Sequence, residues 1–147
     1  MSETLNNIAK AFIGESVAAV KYTLFAEIAD KDGLIEAKNL FIKTAEQEKI
    51  HAKIHFRLLS ELCAKRNTSI LKVAVQLPVE LGDTLKNIEL ALNGEVYEFK
   101  TMYPDFAEKA KKEGYEEIAE RFQALARAEE GHAEKYNSLM KKIKTLK

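Results

Sequence analysis

Apolar positions recur at helical spacing through most of the chain. Ala37, Leu40, Phe41 and Ala45 share one helix face with Thr44, and Ile118, Phe122, Leu125 and Ala126 share another. The pattern predicts four long helices, at about Glu3–Asp32, Ile35–Lys65, Asp83–Glu113 and Glu116–Thr145. Gly33 and Gly114 each follow a helical stretch, where a residue with positive φ can end it. These links are short, so each pair of helices is expected to fold back as an antiparallel hairpin. Arg66–Gly82 lies between the pairs, with Asn67, Thr68, Ser69 and Pro78, and reads as a long crossover with a short helix around Leu71–Val75. The expected fold is all-α: one domain, a four-helix bundle of two hairpins, about 3–65 and 83–145, joined by the crossover 66–82.

The hairpins are an internal repeat. A shift of 81 aligns Tyr22–Ala52 with Tyr103–Ala133 and gives 13 identities in 31 positions without a gap. Tyr22/Tyr103, Phe25/Phe106, Gly33/Gly114, Phe41/Phe122, Glu48/Glu129 and His51/His132 are among them. Helical composition alone would not align glycine, tyrosine, phenylalanine and histidine together. Gly14-Glu15 matches Gly94-Glu95 at a shift of 80 instead, so one extra residue lies between Glu95 and Tyr103. A helix absorbs a single inserted residue most simply as a π-bulge, and Pro104, which lacks an N–H, is better tolerated beside such a break.

Lysine plus arginine number 23, as do aspartate plus glutamate, so net charge recommends neither nucleic acid nor an acidic membrane as a partner. Lys141, Lys142, Lys144 and Lys147 suit a solvated helix C-terminus. Cys63 is the single cysteine, which leaves no intrachain disulfide and no four-cysteine metal site. No secretory signal and no spanning segment are visible, so a reducing cytoplasm is the expected location.

The chemistry lies on the inner faces. Glu48-Lys-Ile-His51 and Glu129-Glu-Gly-His132 are each Glu-x-x-His, which presents a carboxylate and an imidazole on one side of a helix. Glu15 falls three residues after Phe12 and Glu95 three after Leu92, with Glu98 one turn further on, so all five carboxylates are expected to point inward. No lysine or arginine repeats along those faces. A buried carboxylate without a partner is very costly, and metal ions are the remaining compensation. One Glu from each of two helices, plus Glu-x-x-His from each of the other two, is the pattern of dinuclear iron and manganese carboxylate bundles. Oxygen and imidazole donors suit iron, manganese or zinc. Tyr22 and Tyr103 are expected to hydrogen-bond ligand carboxylates, Tyr97 and Phe99 to pack, and His55 to be a core or linker-facing histidine whose repeat counterpart is Tyr136.

Phe12-Ile-Gly-Glu-Ser16, Ala45-Glu-Gln-Glu-Lys-Ile-His-Ala-Lys53, Gly94-Glu-Val-Tyr-Glu98, Met102-Tyr-Pro-Asp-Phe-Ala107 and Ala128-Glu-Glu-Gly-His-Ala-Glu-Lys135 together resemble the rubrerythrins over nearly the whole chain. The resemblance implies a ferritin-like fold, with Glu15, Glu48, His51, Glu95, Glu98, Glu129 and His132 as ligands of two iron ions. It implies that Glu48 and Glu129 bridge the ions. It also implies that Glu98 replaces His51 on one iron on oxidation, with Tyr22 and Tyr103 as supporting tyrosines. Rubrerythrins usually continue into a rubredoxin-like domain. This chain ends at Lys147 without one and looks like the short erythrin or sulerythrin branch.

The expected function is reduction of hydrogen peroxide to water, with electrons from an external donor such as a rubredoxin. The alternative expectation is a metal-binding protein that oxidises or sequesters iron without sustained turnover; zinc or manganese also fits the donors. A homodimer is expected from the long crossover between two similar halves, either of which could pack on its own partner or on the equivalent half of a second chain.

Overall fold

The computed structural model describes residues 2–146, and these form α-helices with no strand among them. Helix α1 spans Glu3–Lys31 and α2 spans Ile35–Lys65. The third rod is continuous but has three parts: α3 at Thr84–Tyr97, a π-helical turn at Glu98–Met102 and α4 at Tyr103–Lys112. Helix α5 spans Glu116–Thr145. The first hairpin is α1 with α2, and the second is the third rod with α5. No described helix is long and apolar enough to cross a membrane.

Both tight turns use positive φ, 73° at Gly33 and 85° at Gly114, where a side chain would clash with the preceding carbonyl. The inserted residue sits where the change of repeat shift places it. The Tyr103 N–H reaches back five residues to the Glu98 carbonyl, so the helix swells by one residue there. Pro104 follows at the start of α4, where the regular ladder is already interrupted.

The hairpins also cap each other. The Asp32 carboxylate, at the end of α1, accepts from Thr84 N–H at 3.1 Å and Thr84 Oγ1–H at 2.6 Å, at the start of α3. Glu113, at the end of α4, accepts from the N–H of Thr4 at 2.7 Å and from its hydroxyl. The four residues are equivalent under the repeat: Asp32 matches Glu113 at a shift of 81, and Thr4 matches Thr84 at 80. These contacts place carboxylates on free N–H groups at helix starts, where the helix dipole favours negative charge.

Two aromatic boxes fill the core on either side of the bundle centre. One consists of Tyr22, Phe25, Phe41 and Tyr136, the other of Tyr103, Phe106, Phe122 and His55. Phe25 and Phe41 sit edge to face at 5.4 Å, and their counterparts Phe106 and Phe122 do the same at 5.6 Å.

The crossover departs from expectation. Residues 68–82 carry no helix, and Leu71–Val75 is irregular backbone with Ile70, Leu77 and Val79 exposed. Leu71 and Val73 are half-buried beside Phe12, Ile13 and Phe56 while Lys72 between them is exposed, a two-residue alternation that suits extended backbone and not a helical turn. Tyr97, expected to pack, is 57 % exposed, because it lies on the outer face at the end of α3, immediately before the π segment.

Candidate metal centre

Glu15 from α1, Glu48 and His51 from α2, Glu95 from α3, and Glu129 and His132 from α5 meet between the two boxes. Glu15, Glu48 and Glu95 are each 1 % exposed and Glu129 is 0 % exposed. They form two groups. Glu15, Glu48, His51 and Glu129 offer donor atoms within 4.8 Å of one another, and so do Glu48, Glu95, Glu129 and His132. Glu48 and Glu129 belong to both groups, and each turns one oxygen to either side. His51 Nδ1 lies 3.1 Å from Glu129 Oε1 and 3.5 Å from Glu48 Oε2. His132 Nδ1 lies 2.8 Å from Glu48 Oε1 and 3.4 Å from Glu129 Oε2. The imidazole rings stack nearly parallel, 6.3 Å apart.

These spacings fit metal ions. Donor atoms about 2.1 Å from a common ion stand about 3.0 Å apart at octahedral angles and about 3.4 Å apart at tetrahedral ones. The unpartnered atoms agree. Glu15 Oε2, both oxygens of Glu48 and of Glu129, Glu95 Oε2 and the Nδ1 atoms of both histidines are sealed from solvent without a hydrogen-bond partner. Buried polar atoms are nearly always satisfied, so a cluster of this size calls for cations at its centre.

The surrounding bonds aim the donors. Tyr22 donates to Glu95 Oε1 at 2.8 Å, and Tyr103 donates to Glu15 Oε1 at 2.7 Å, which leaves one oxygen of each carboxylate for the centre. His132 presents Nδ1 to the centre and donates Nε2–H to Gln47 Oε1 at 2.7 Å. That contact fixes both ring orientation and tautomer. His51 has no such anchor, for the counterpart of Gln47 is Ala128. Gln47 escapes a reading of the sequence, being one more polar residue beside Glu48, 85 positions from its partner.

The sequence model of the rubrerythrin family matches residues 6–140. The chain belongs to the rubrerythrin family. It is 39 % identical over 142 residues to rubrerythrin-1 of Clostridium acetobutylicum, covering 97 % of this chain and 72 % of that protein. It is 38 % identical over 146 residues to the rubrerythrin of Clostridium perfringens, covering 99 % of this chain and again 72 % of the relative. A structure of nigerythrin described as fully reduced and all ferrous superposes with a TM-score of 0.83 at 33 % identity, over 98 % of this chain and 69 % of that one. A ferritin of Archaeoglobus fulgidus shares the fold, with a TM-score of 0.76 at 20 % identity, over 99 % of this chain and 87 % of that one. The ferritin-like four-helix bundle is therefore the architecture of this chain.

Without ions, the crowded carboxyls are pushed in opposite directions: Glu48 and Glu129, beside the histidines, are held down. Burial pushes the Glu15 carboxyl well up, and neighbouring Glu48 adds to the rise. Burial does the same for Glu95, with Glu129 as the neighbour. Burial would lower both histidines. The surrounding carboxylates outweigh it and push His51 and His132 up to about 12. Cations entering the cluster would displace these protons.

Glu98 stands apart from the other six. It opens the π turn, is half-buried, and belongs to neither group of converging donors. Burial raises its carboxyl well above the usual range, and Glu15 is the neighbouring charge that adds most. His55 is a core residue, 2 % exposed, whose Nε2 lies 3.0 Å from the Tyr103 hydroxyl. Burial first, and then the neighbouring His51, lower its imidazole to about 4.

Proposed function

We propose that the chain is a dinuclear iron peroxidase that reduces hydrogen peroxide to water with electrons from an external donor, a small redox protein of the rubredoxin kind. The observation that carries this reading is the pair of donor groups sharing Glu48 and Glu129, each completed by one histidine and one further glutamate. The all-ferrous nigerythrin structure supports iron as the metal. Two ferrous ions held there supply the two electrons that, with two protons, convert one peroxide into two waters.

The protein's part is placement. Glu48 and Glu129 hold the two positions at a fixed separation, while Glu15 and Glu95 are each held by a tyrosine. His132 is locked by Gln47, whereas His51 is not. Glu98, on the swollen turn beside the centre, would supply a further carboxylate to ions held there, and His51, without an anchor, is the ligand it would replace. The test is anaerobic loading with Fe(II), followed by stopped-flow oxidation with peroxide and with dioxygen in parallel. Two iron ions per chain and faster oxidation by peroxide are expected. Equal rates would overturn the peroxidase reading in favour of iron handling, and protein purified from its native cells with zinc or manganese in place of iron would overturn the choice of metal.

We also propose that the chain is a homodimer, in which the long crossover allows either hairpin to pack within its own chain or on the second copy. Exposed Val20 and Leu24 on α1, Ile50 and Phe56 on α2, and Val79 on the crossover support it. Light scattering at micromolar concentration is expected to give twice the chain mass, and a monomer would refute it.

A further inference from the structure

The two hairpins share an inner face and differ on the outer one. The first hairpin exposes Val20, Leu24, Ile35, Ile42, Ile50 and Phe56. At a shift of 81 the same positions of the second hairpin hold Thr101, Asp105, Glu116, Gln123, Gly131 and Asn137. The bundle is built from both hairpins alike, so it does not itself require apolar residues at these outer places. Those of the first hairpin lie together. Val20 and Leu24 are one turn apart on α1. Leu24 on α1 and Ile42 on α2 each stand nine residues from the turn at Gly33, and so at one level of the hairpin.

The crossover adds to the same side of the molecule. From Leu71 to Leu81 every odd position is apolar: Leu71, Val73, Val75, Leu77, Val79 and Leu81. A period of two gives an extended segment one apolar edge. Its first two members are half-buried beside Phe12, Ile13 and Phe56 of the first hairpin, and the other four are exposed. Both ends are tied down. The Thr68 N–H donates to the Cys63 carbonyl at 2.9 Å, and the Gly82 N–H donates to Asn87 Oδ1 at 2.9 Å. Thr84, just beyond, is held by Asp32 at the far end of the first hairpin. The crossover is thus a strap along the first hairpin, and its apolar edge beyond Val73 is uncovered.

We propose that a second copy of the chain sits on this side, each copy laying Val75, Leu77, Val79 and Leu81 of its strap across Val20, Leu24, Ile42 and Ile50 of the other. This rests on the homodimer reading and names the surface that the dimer uses. The area is sufficient. The six helical and four strap side chains together expose roughly 1,000 Å², against about 800 Å² buried by each partner in a stable pair. An apolar patch on a typical monomer reaches only about 300–600 Å². The side is also self-complementary, since it carries a strap with an apolar edge and bare helices to receive one. A single twofold axis seats both straps at once, which is what an isologous contact requires. The polar outer face of the second hairpin offers no equivalent contact, so assembly stops at two copies.

The test combines light scattering with cross-linking. Leu77→Lys with Val79→Lys puts two charges on the strap, at exposed positions that the fold of one chain does not use. At micromolar concentration the wild type is expected at twice the chain mass and this double variant at the chain mass, with unchanged helical circular dichroism. Asp105→Lys with Gln123→Lys, on the second hairpin, is expected to stay dimeric. Cross-linking reads the pairing without changing charge. In a Cys63→Ala background, chains carrying Val79→Cys are co-expressed with chains carrying Leu24→Cys and treated with a short bismaleimide. Each chain then has one thiol, so every link is between copies, and pairs of one chain of each kind are expected. A monomeric wild type would overturn the homodimer reading and this inference with it, and its uptake by phospholipid vesicles would give the face to a membrane. A wild-type dimer that withstands the strap charges, or yields no mixed pair, would leave the homodimer standing and overturn only the surface named here. Dissociation of the second-hairpin variant would overturn it equally.

Discussion

Replacing Gln47 by leucine is expected to weaken one of two metal positions and spare the other. The substitution roughly preserves volume but removes the Oε1 that receives His132 Nε2–H at 2.7 Å. His132 is 4 % exposed, so water cannot freely replace the lost acceptor. A hydrogen bond that orients a metal-bound imidazole typically governs about 10- to 100-fold in metal affinity. That is about 1.4–2.7 kcal/mol, the range expected for a buried bond to a polarised donor. The effect should be confined to the Glu95–His132 side. His51 has Ala128 at the equivalent place and so has no such bond to lose. The assay is stepwise titration with Co(II) or Zn(II) against a chromophoric chelator, with the histidine N–H resonances assigning each step to its side. One dissociation constant should rise by about 10- to 100-fold while the other stays within about twofold. Equal weakening of both steps, or of neither, would refute the claim that Gln47 distinguishes the two sides.

Glu48→Ala or Glu129→Ala is expected to remove most of both metals, since each residue turns one oxygen to either group; elemental analysis showing two ions retained would contradict this. Glu98→Ala should leave two metals bound yet slow oxidation by peroxide and narrow the advantage of peroxide over dioxygen in stopped-flow traces. Asp32→Asn with Glu113→Gln should flatten the acid limb of thermal stability. Thr84 and Thr4 hydrogen bonds hold these carboxyls below their usual range. Their stabilisation is therefore present above the unfolded carboxylate pKa and lost as pH falls through the lower folded value. Calorimetry at pH 7 and near pH 3 checks the sign, which would be wrong if the double variant lost relatively more stability in acid.

Much of this protein is legible in one dimension because its information is periodic. Helices show themselves by apolar spacing, their ends by Gly33 and Gly114, and the pairing of hairpins by a repeat that carries Tyr, Phe and His in step. The π turn was legible too, since a slip from a shift of 80 to one of 81 can only be an inserted residue, and the third rod absorbs it at Glu98–Met102. Inward carboxylates on four helices needed a common partner for a reason independent of coordinates: unpaired charge is not stable in an apolar interior.

What only the tertiary structure decided depends on direction and on neighbours distant in sequence. Helical spacing sets a residue's face, but not which imidazole nitrogen turns inward or which glutamate stands off, as Glu98 does. Gln47 carries no local mark of its bond to His132, and His55 reads as any core histidine until Tyr103 is seen beside it. The mutual caps between Asp32 and Thr84 and between Glu113 and Thr4 join residues 52 and 109 positions apart. The crossover misled because its apolar residues suggested a helix at Leu71–Val75, where alternate residues, Leu71 and Val73, are half-buried on irregular backbone instead. Propensity proposes a short helix, but only burial of a face stabilises it.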